Sequence, residues 1–61
     1  MTRVVVDNKP MRGYAKWLLA EHNESRGRQM VSWYVYEAPD NVAAEMISKG
    51  ARIEHVTQIR G

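Results

Sequence analysis

The stretch from Met30 to Glu37 constrains this chain more than any other, because Val31, Trp33 and Val35 alternate with Ser32, Tyr34 and Tyr36. β-Branched and aromatic residues on a period of two suit a pleated, half-buried strand. Val31, Trp33 and Val35 then form one apolar face, and Tyr34 and Tyr36 form a second, amphipathic face that is open to a helix cover, to partial solvation or to a partner. A lone strand is not stable, so the rest of the chain must supply pairing partners and a cover for the apolar face.

The cover follows at once. Ala38-Pro39-Asp40-Asn41 ends the strand and opens a helix, since proline fits a first turn and Asp40 complements the positive end of the helix dipole. Val42, Ala43, Met46 and Ile47 follow at helical spacing, and Gly50 after Lys49 supplies the stop. A helix of about ten residues does not persist without tertiary packing, so it must lie on the sheet. From Ala51 to Arg60 the period of two returns. Ala51, Ile53, His55, Thr57 and Ile59 fall on one side, and Arg52, Glu54, Val56, Gln58 and Arg60 on the other. This is a second strand with the polar outer face of a sheet edge.

Upstream, Met11 to His22 fits two templates. Met11, Tyr14, Ala15, Leu18 and Leu19 match a helix, whereas Ala15, Trp17 and Leu19 match a strand. Gly13 weakens the helix, and the polar loop His22 to Arg28 leading into the clear strand favours an antiparallel hairpin, so strand is the reading adopted. Arg3 to Val6 either extends that strand or forms a short one of its own before Asp7-Asn8-Lys9-Pro10 turns the chain. The expected fold is α+β: a small antiparallel sheet of three strands, or four if Arg3 to Val6 stands alone. One helix joins it, in the order strand, strand, helix, strand.

The chain of 61 residues makes one domain. A domain of this size buries only about 60% of the surface its unfolded form exposes. With no cysteine, it has neither a disulfide framework nor a cysteine zinc site. His22 and His55 are far apart and lack acidic companions, so no metal is expected. Thr2, Ser25, Ser32, Ser48 and Thr57 are each isolated from a base, and Glu21 and Glu24 sit among Arg26 and Arg28, where they stay solvated. Neither catalytic residues nor a cofactor are expected, which leaves binding to another macromolecule. No apolar run approaches the roughly 18 residues of a spanning helix, and the opening Met1-Thr2-Arg3-Val4-Val5-Val6 meets Asp7 before a signal peptide's apolar region forms. Lack of thiols suits a reducing cytosol, so a soluble cytoplasmic protein is expected.

The formal charge is +2 and the pI near 9.3. Arg3, Lys9, Arg12 and Lys16 crowd the first quarter, whereas Glu37, Asp40, Glu45 and Glu54 make the middle acidic, a dipolar pattern rather than a basic stripe. The favoured reading is a protein partner gripped by the last strand, through Arg52, Glu54, Gln58 and Arg60, as strands added to a partner's surface do. A second contact is the hairpin, with Tyr34 and Tyr36 on its outward face and Arg26 and Arg28 at its tip, because Tyr and Arg are favoured at hot spots. Phe is absent, so Trp17 and Trp33 are expected to fill the core. The alternative is a nucleic-acid-binding module using Lys9, Arg12, Lys16, Arg26 and Arg28 with the strand tyrosines. Self-assembly of the chain is a third.

Val56-Thr57-Gln58-Ile59-Arg60 after a short helix, with Val6-Asp7-Asn8-Lys9 near the start, resembles the small early proteins of lytic podophages that inhibit the host bacterial RNA polymerase. The resemblance implies a three-stranded antiparallel sheet with one helix, and a last strand that offers two alternating arginines to the jaw of the polymerase β′ subunit. Those arginines correspond to Gln58 and Arg60, so Arg60 carries the one charge retained. The function this implies is a non-enzymatic, phage-encoded inhibitor or adaptor acting on a host protein.

Overall fold

The computed structural model describes residues 1–54. Their elements in chain order are β1 (Thr2–Asp7), a 3-10 segment (Arg12–Trp17), β2 (Leu18–Arg26), β3 (Gln29–Ala38), α1 (Asp40–Ser48) and β4 (Arg52–Ile53). The strands form one four-stranded antiparallel sheet in the order β2-β3-β1-β4. The fold class is α+β, as the sequence indicates. Of the two expected alternatives for Arg3 to Val6, the structure shows the second: they belong to β1, a strand of its own that precedes the expected strand, strand, helix, strand order and lies in the sheet's interior.

Both crossovers skip a strand. The 3-10 segment carries the chain from β1 past β3 to β2, and α1 carries it from β3 past β1 to β4. This is the strand order of the ferredoxin-like split βαβ arrangement, with the first helix reduced to a 3-10 segment. Both connections lie on one face of the sheet. The core they close contains Val4 and Val6 from β1, Tyr36 and Ala38 from β3, Ala43 and Met46 from α1, and Ala51. Met11, Tyr14, Trp17, Tyr34 and Val42 pack around it.

The structure departs from the expected elements at three places. Met11 to His22 is not one strand: Arg12–Trp17 is 3-10, and β2 begins at Leu18. Met11, Tyr14 and Trp17 recur every third residue, and all three meet the core across a kink at Tyr14 (φ −123°, ψ 21°). The polar segment from His22 is not a loop either. Strand β2 continues to Arg26, and only Gly27 and Arg28 turn the chain into Gln29. Gly27, at φ +62°, supplies the positive φ that a two-residue hairpin turn of this kind requires. Finally, the faces of β3 are reversed. Tyr36 is 1% exposed inside the core, and Tyr34 lies on the same covered side. Trp33 faces the open side.

The helix forms where proline and aspartate place it. Ala43 N–H donates to the Pro39 carbonyl at 2.8 Å, closing the first turn. Asp40 accepts a hydrogen bond from the Thr2 hydroxyl at 2.6 Å, which ties the helix start to the beginning of β1. At the other end, Gly50 N–H donates to the Ile47 carbonyl and Ala51 N–H to the Met46 carbonyl, both at 3.0 Å. This is a Schellman closure, and its accompanying apolar contact is made by Met46 and Ala51 in the core. Gly50, at φ +112°, takes a conformation that residues with a Cβ rarely adopt.

Candidate interface on the open sheet face

With both connections on one side, the other side of the sheet has no covering element among the described residues. The pairing registers define what it carries. Val31, Trp33, Val35 and Glu37 come from β3; Arg3, Val5 and Asp7 stand opposite Glu37, Val35 and Trp33 on β1. Ala20, His22, Glu24 and Arg26 stand opposite Val35, Trp33, Val31 and Gln29 on β2. Arg52 of β4 stands opposite Val5.

At the centre His22 and Trp33 form a directly opposed cross-strand pair, their rings stacked with centroids 5.1 Å apart and planes 14° from parallel. Such an aromatic pair adds roughly 0.5–1 kcal/mol to the hairpin and makes the middle of the face stiff. Val31 and Val35 flank Trp33 along β3. Val35 and Val5 are 8% and 4% exposed. Val5 lies among long arginine stems, which are suited to roof a valine while their charged heads stay in water.

Three ion pairs fence this centre. Arg3 Nε donates to Glu37 Oε2 at 3.1 Å across β1 and β3. Arg52 donates through Nε to Asp7 Oδ2 at 2.9 Å and through Nη2 to Asp7 Oδ1 at 3.2 Å, a two-point clamp joining β4 to β1. Arg26 Nη2 donates to Glu24 Oε2 at 3.1 Å near the hairpin tip. The Arg52 guanidinium holds the Asp7 carboxyl below the ordinary aspartate range, chiefly by those hydrogen bonds, against an opposing effect of burial and with its charge adding to the lowering. The same contacts raise Arg52 above its usual value. Every arginine on the face is thus matched by a carboxylate, and the face is apolar at its centre and neutral at its rim.

The side chains expected to bind a partner are distributed differently from that expectation. Tyr36 cannot be a surface contact: the helix layer covers it, and its hydroxyl accepts a hydrogen bond from Met11 N–H at 2.9 Å. Tyr34 is half-buried beside it. Arg26 and Arg28 do occupy the hairpin tip, Arg26 paired to Glu24 and Arg28 exposed without an ion pair among the described residues. Arg52 is exposed but committed to Asp7. Glu54 is half-buried, and its N–H donates to the Arg3 carbonyl at 3.1 Å, continuing the pairing of β4 with β1. Gln58 and Arg60, with the rest of the proposed last strand from His55, lie outside the described residues.

Sequence reasoning missed Trp33 and His22 as a surface pair because it placed Trp33 in the core. A signal was present. Ala38, the residue at which β3 enters the helix, shares the parity of Tyr34 and Tyr36, and a small residue there lets a helix approach the sheet closely. Among the described residues no group of three or more histidine, cysteine or acidic side chains is arranged to hold a metal, and no helix is long and apolar enough to cross a membrane. Comparison with protein-family models, with curated proteins and with solved structures finds no match to this chain.

Proposed function

We propose that this chain is a non-enzymatic protein-binding domain, an inhibitor or adaptor that acts by occupying a surface on a host protein. The open face centred on the Trp33–His22 stack is its contact. The observation that carries this reading is the combination of a stiff aromatic centre with a rim whose charges cancel in pairs. An apolar centre inside a polar rim is the common anatomy of protein–protein contacts, and tryptophan and arginine are favoured at their hot spots. A polyanion, by contrast, is held by unpaired cations, and this face presents none on its ion-paired arginines.

The resemblance to podophage inhibitors makes bacterial RNA polymerase, through its β′ subunit, the first partner to test, with the bacterial cytoplasm as the place of action. Binding of the purified protein to purified polymerase is measured beside capture from a nuclease-treated lysate. Trp33→Ala weakens either complex by at least about thirtyfold if the open face is the contact, the effect of losing a hot spot of roughly 2 kcal/mol. Unchanged affinity would refute this face. The nucleic-acid alternative relies on Lys9, Arg12, Lys16, Arg26 and Arg28, and it requires affinity that falls steeply with salt. Retention of the partner at raised ionic strength excludes it.

A further inference from the structure

We infer that the edge of β2, which pairs with no strand other than β3 among the described residues, pairs with the same edge of a second copy of this chain, in an antiparallel register centred on Asn23. The inference does not rest on the proposed function: it is carried by the backbone groups of the β2 edge, although His22 and Glu24 also border the open face.

The backbone supplies the first part of the argument. Strand β2 lies at one end of the sheet order and runs for nine residues, far longer than the two of β4 at the other end. Its outward hydrogen-bonding groups follow from parity. In an antiparallel sheet each residue turns both its N–H and its C=O to the same neighbour, and successive residues alternate. Asn8 N–H donates to the Ser32 carbonyl at 2.9 Å, so Ser32 faces the β1 side. Its opposite number Asn23 is therefore a non-hydrogen-bonded partner on β2. Glu21, Asn23 and Ser25 thus present their backbone groups to the open edge. The register irregularity between Leu18 and Ala20 bounds this usable stretch on one side, and the Gly27-Arg28 turn bounds it on the other.

Edges of this kind are ordinarily blocked by proline, lysine, a bulge in mid-strand or a covering element. The segment Glu21-His22-Asn23-Glu24-Ser25-Arg26 has no proline or lysine. Its charges do something more selective: they decide how the strand fits a copy of itself. A two-fold axis that joins two sheets into one continuous sheet keeps like faces together, so it must pass through a residue of β2. Centred on Glu21 or Glu24, it would oppose two carboxylates directly, which is destabilising. Centred on Ser25, it would engage the hairpin tips alone. Centred on His22, it would set imidazole against imidazole and Ala20 against Glu24, and it would run the pairing into the irregularity at Leu18.

Centred on Asn23, every pair is compatible. His22 meets Glu24 of the second copy on the open face, twice by symmetry, and Glu21 meets Ser25 on the other face. Asn23 meets itself. Its Oδ1 already accepts a hydrogen bond from the Ser32 hydroxyl at 2.7 Å, which fixes the amide so that its NH2 is the free donor. Across the axis each amide NH2 reaches the second lone pair of the other Oδ1, a reciprocal pair that only a residue facing its own copy can make. About six backbone hydrogen bonds link Glu21, Asn23 and Ser25 across the axis. The dimer would bury little surface, so it is a concentration-dependent one of the small-interface class.

The absence of cysteine in the chain gives a clean readout of register. Residues opposed as a hydrogen-bonded antiparallel pair have Cα atoms about 5.5 Å apart, within the range a disulfide spans. Under mild oxidation Asn23→Cys forms a covalent dimer at least about tenfold faster than Glu21→Cys or Ser25→Cys alone, reflecting its raised effective concentration. A mixture of Glu21→Cys and Ser25→Cys yields the heterodimer in preference to either homodimer. Equal rates at all three positions would mean random collision and would overturn the inference. The unmodified protein supplies the second measurement: its sedimentation coefficient rises with concentration into the millimolar range. A strictly monomeric boundary throughout that range would also overturn it. Neither measurement involves the partner, so both read the self-pairing whether or not the open face proves to be the partner contact.

Discussion

The hydroxyl of Tyr36 offers the most direct test of how the two layers are joined. Tyr36 is 1% exposed, and its oxygen accepts the Met11 N–H at 2.9 Å, just where the chain leaves β1 and begins its passage over the sheet. Tyr36→Phe keeps the ring and its packing but leaves a part-buried N–H without a partner. Such an orphaned donor costs about 1–1.5 kcal/mol, at the lower end of the range because Met11 is not fully buried. Total stability for a chain of this length is on the order of 3–9 kcal/mol, so the loss is a sizeable fraction of it. In a domain this small, 1 kcal/mol moves the thermal midpoint by about 8 °C, and a fall of roughly 8–12 °C is expected. Thermal and urea unfolding followed by circular dichroism measure it. Tyr36→Ala, which also empties the core of a ring, is expected to cost about 3–5 kcal/mol and to leave little folded protein. A Tyr36→Phe midpoint within about 2 °C of the parent would refute the anchoring role. Loss of partner binding at unchanged stability would return Tyr36 to the surface.

Gly50→Ala places a Cβ at φ +112° in the closure that ends α1, and it is expected to lower stability by about 1–2 kcal/mol in urea titration, with the fold retained. Acid weakens the Asp7–Arg52 clamp in a defined direction. The Asp7 carboxyl is depressed in the folded state, so its contribution is fully present above the unfolded value near pH 3.9 and is lost as pH falls through the lower folded value. The stability difference between the parent and Arg52→Gln, read from urea midpoints, should therefore be constant from about pH 7 to pH 5 and shrink below about pH 4. Trp33→Ala leaves the covered core intact and should cost about 1 kcal/mol or less, the value of a cross-strand aromatic pair, so any larger loss would show that the open face supports the fold.

Strand and helix were legible because their signals are local. The alternation of Val31 to Tyr36 specifies β3, and Pro39, Asp40 and Gly50 bracket α1 to within two residues. The side of β3 that turns inward is not local information. Both of its faces carry aromatic residues, and the choice is made by the two connections that cross on one side, which bring Met11 to the Tyr36 hydroxyl and Met46 beneath Val4 and Val6. The Trp33–His22 pair escaped the sequence reading for the same reason, since the partner of Trp33 is set by a register that depends on where the hairpin turns. The 3-10 segment was obscured by its period of three, which resembles a helix in some positions and a strand in others.

The position of β1 carries a consequence for how the molecule comes into being. The strand made first is held on both sides by strands made much later: Thr2 pairs with Ala38, and Val4 with Ile53. Ordering the amino-terminal segment therefore has to await nearly the whole described chain, and closing such long loops before any reward is gained slows folding relative to a helical domain of equal length. A fragment that stops before Arg52 leaves one side of β1 without its partner strand. Among the described residues, the sheet is therefore complete only when segments from both ends of the chain have met.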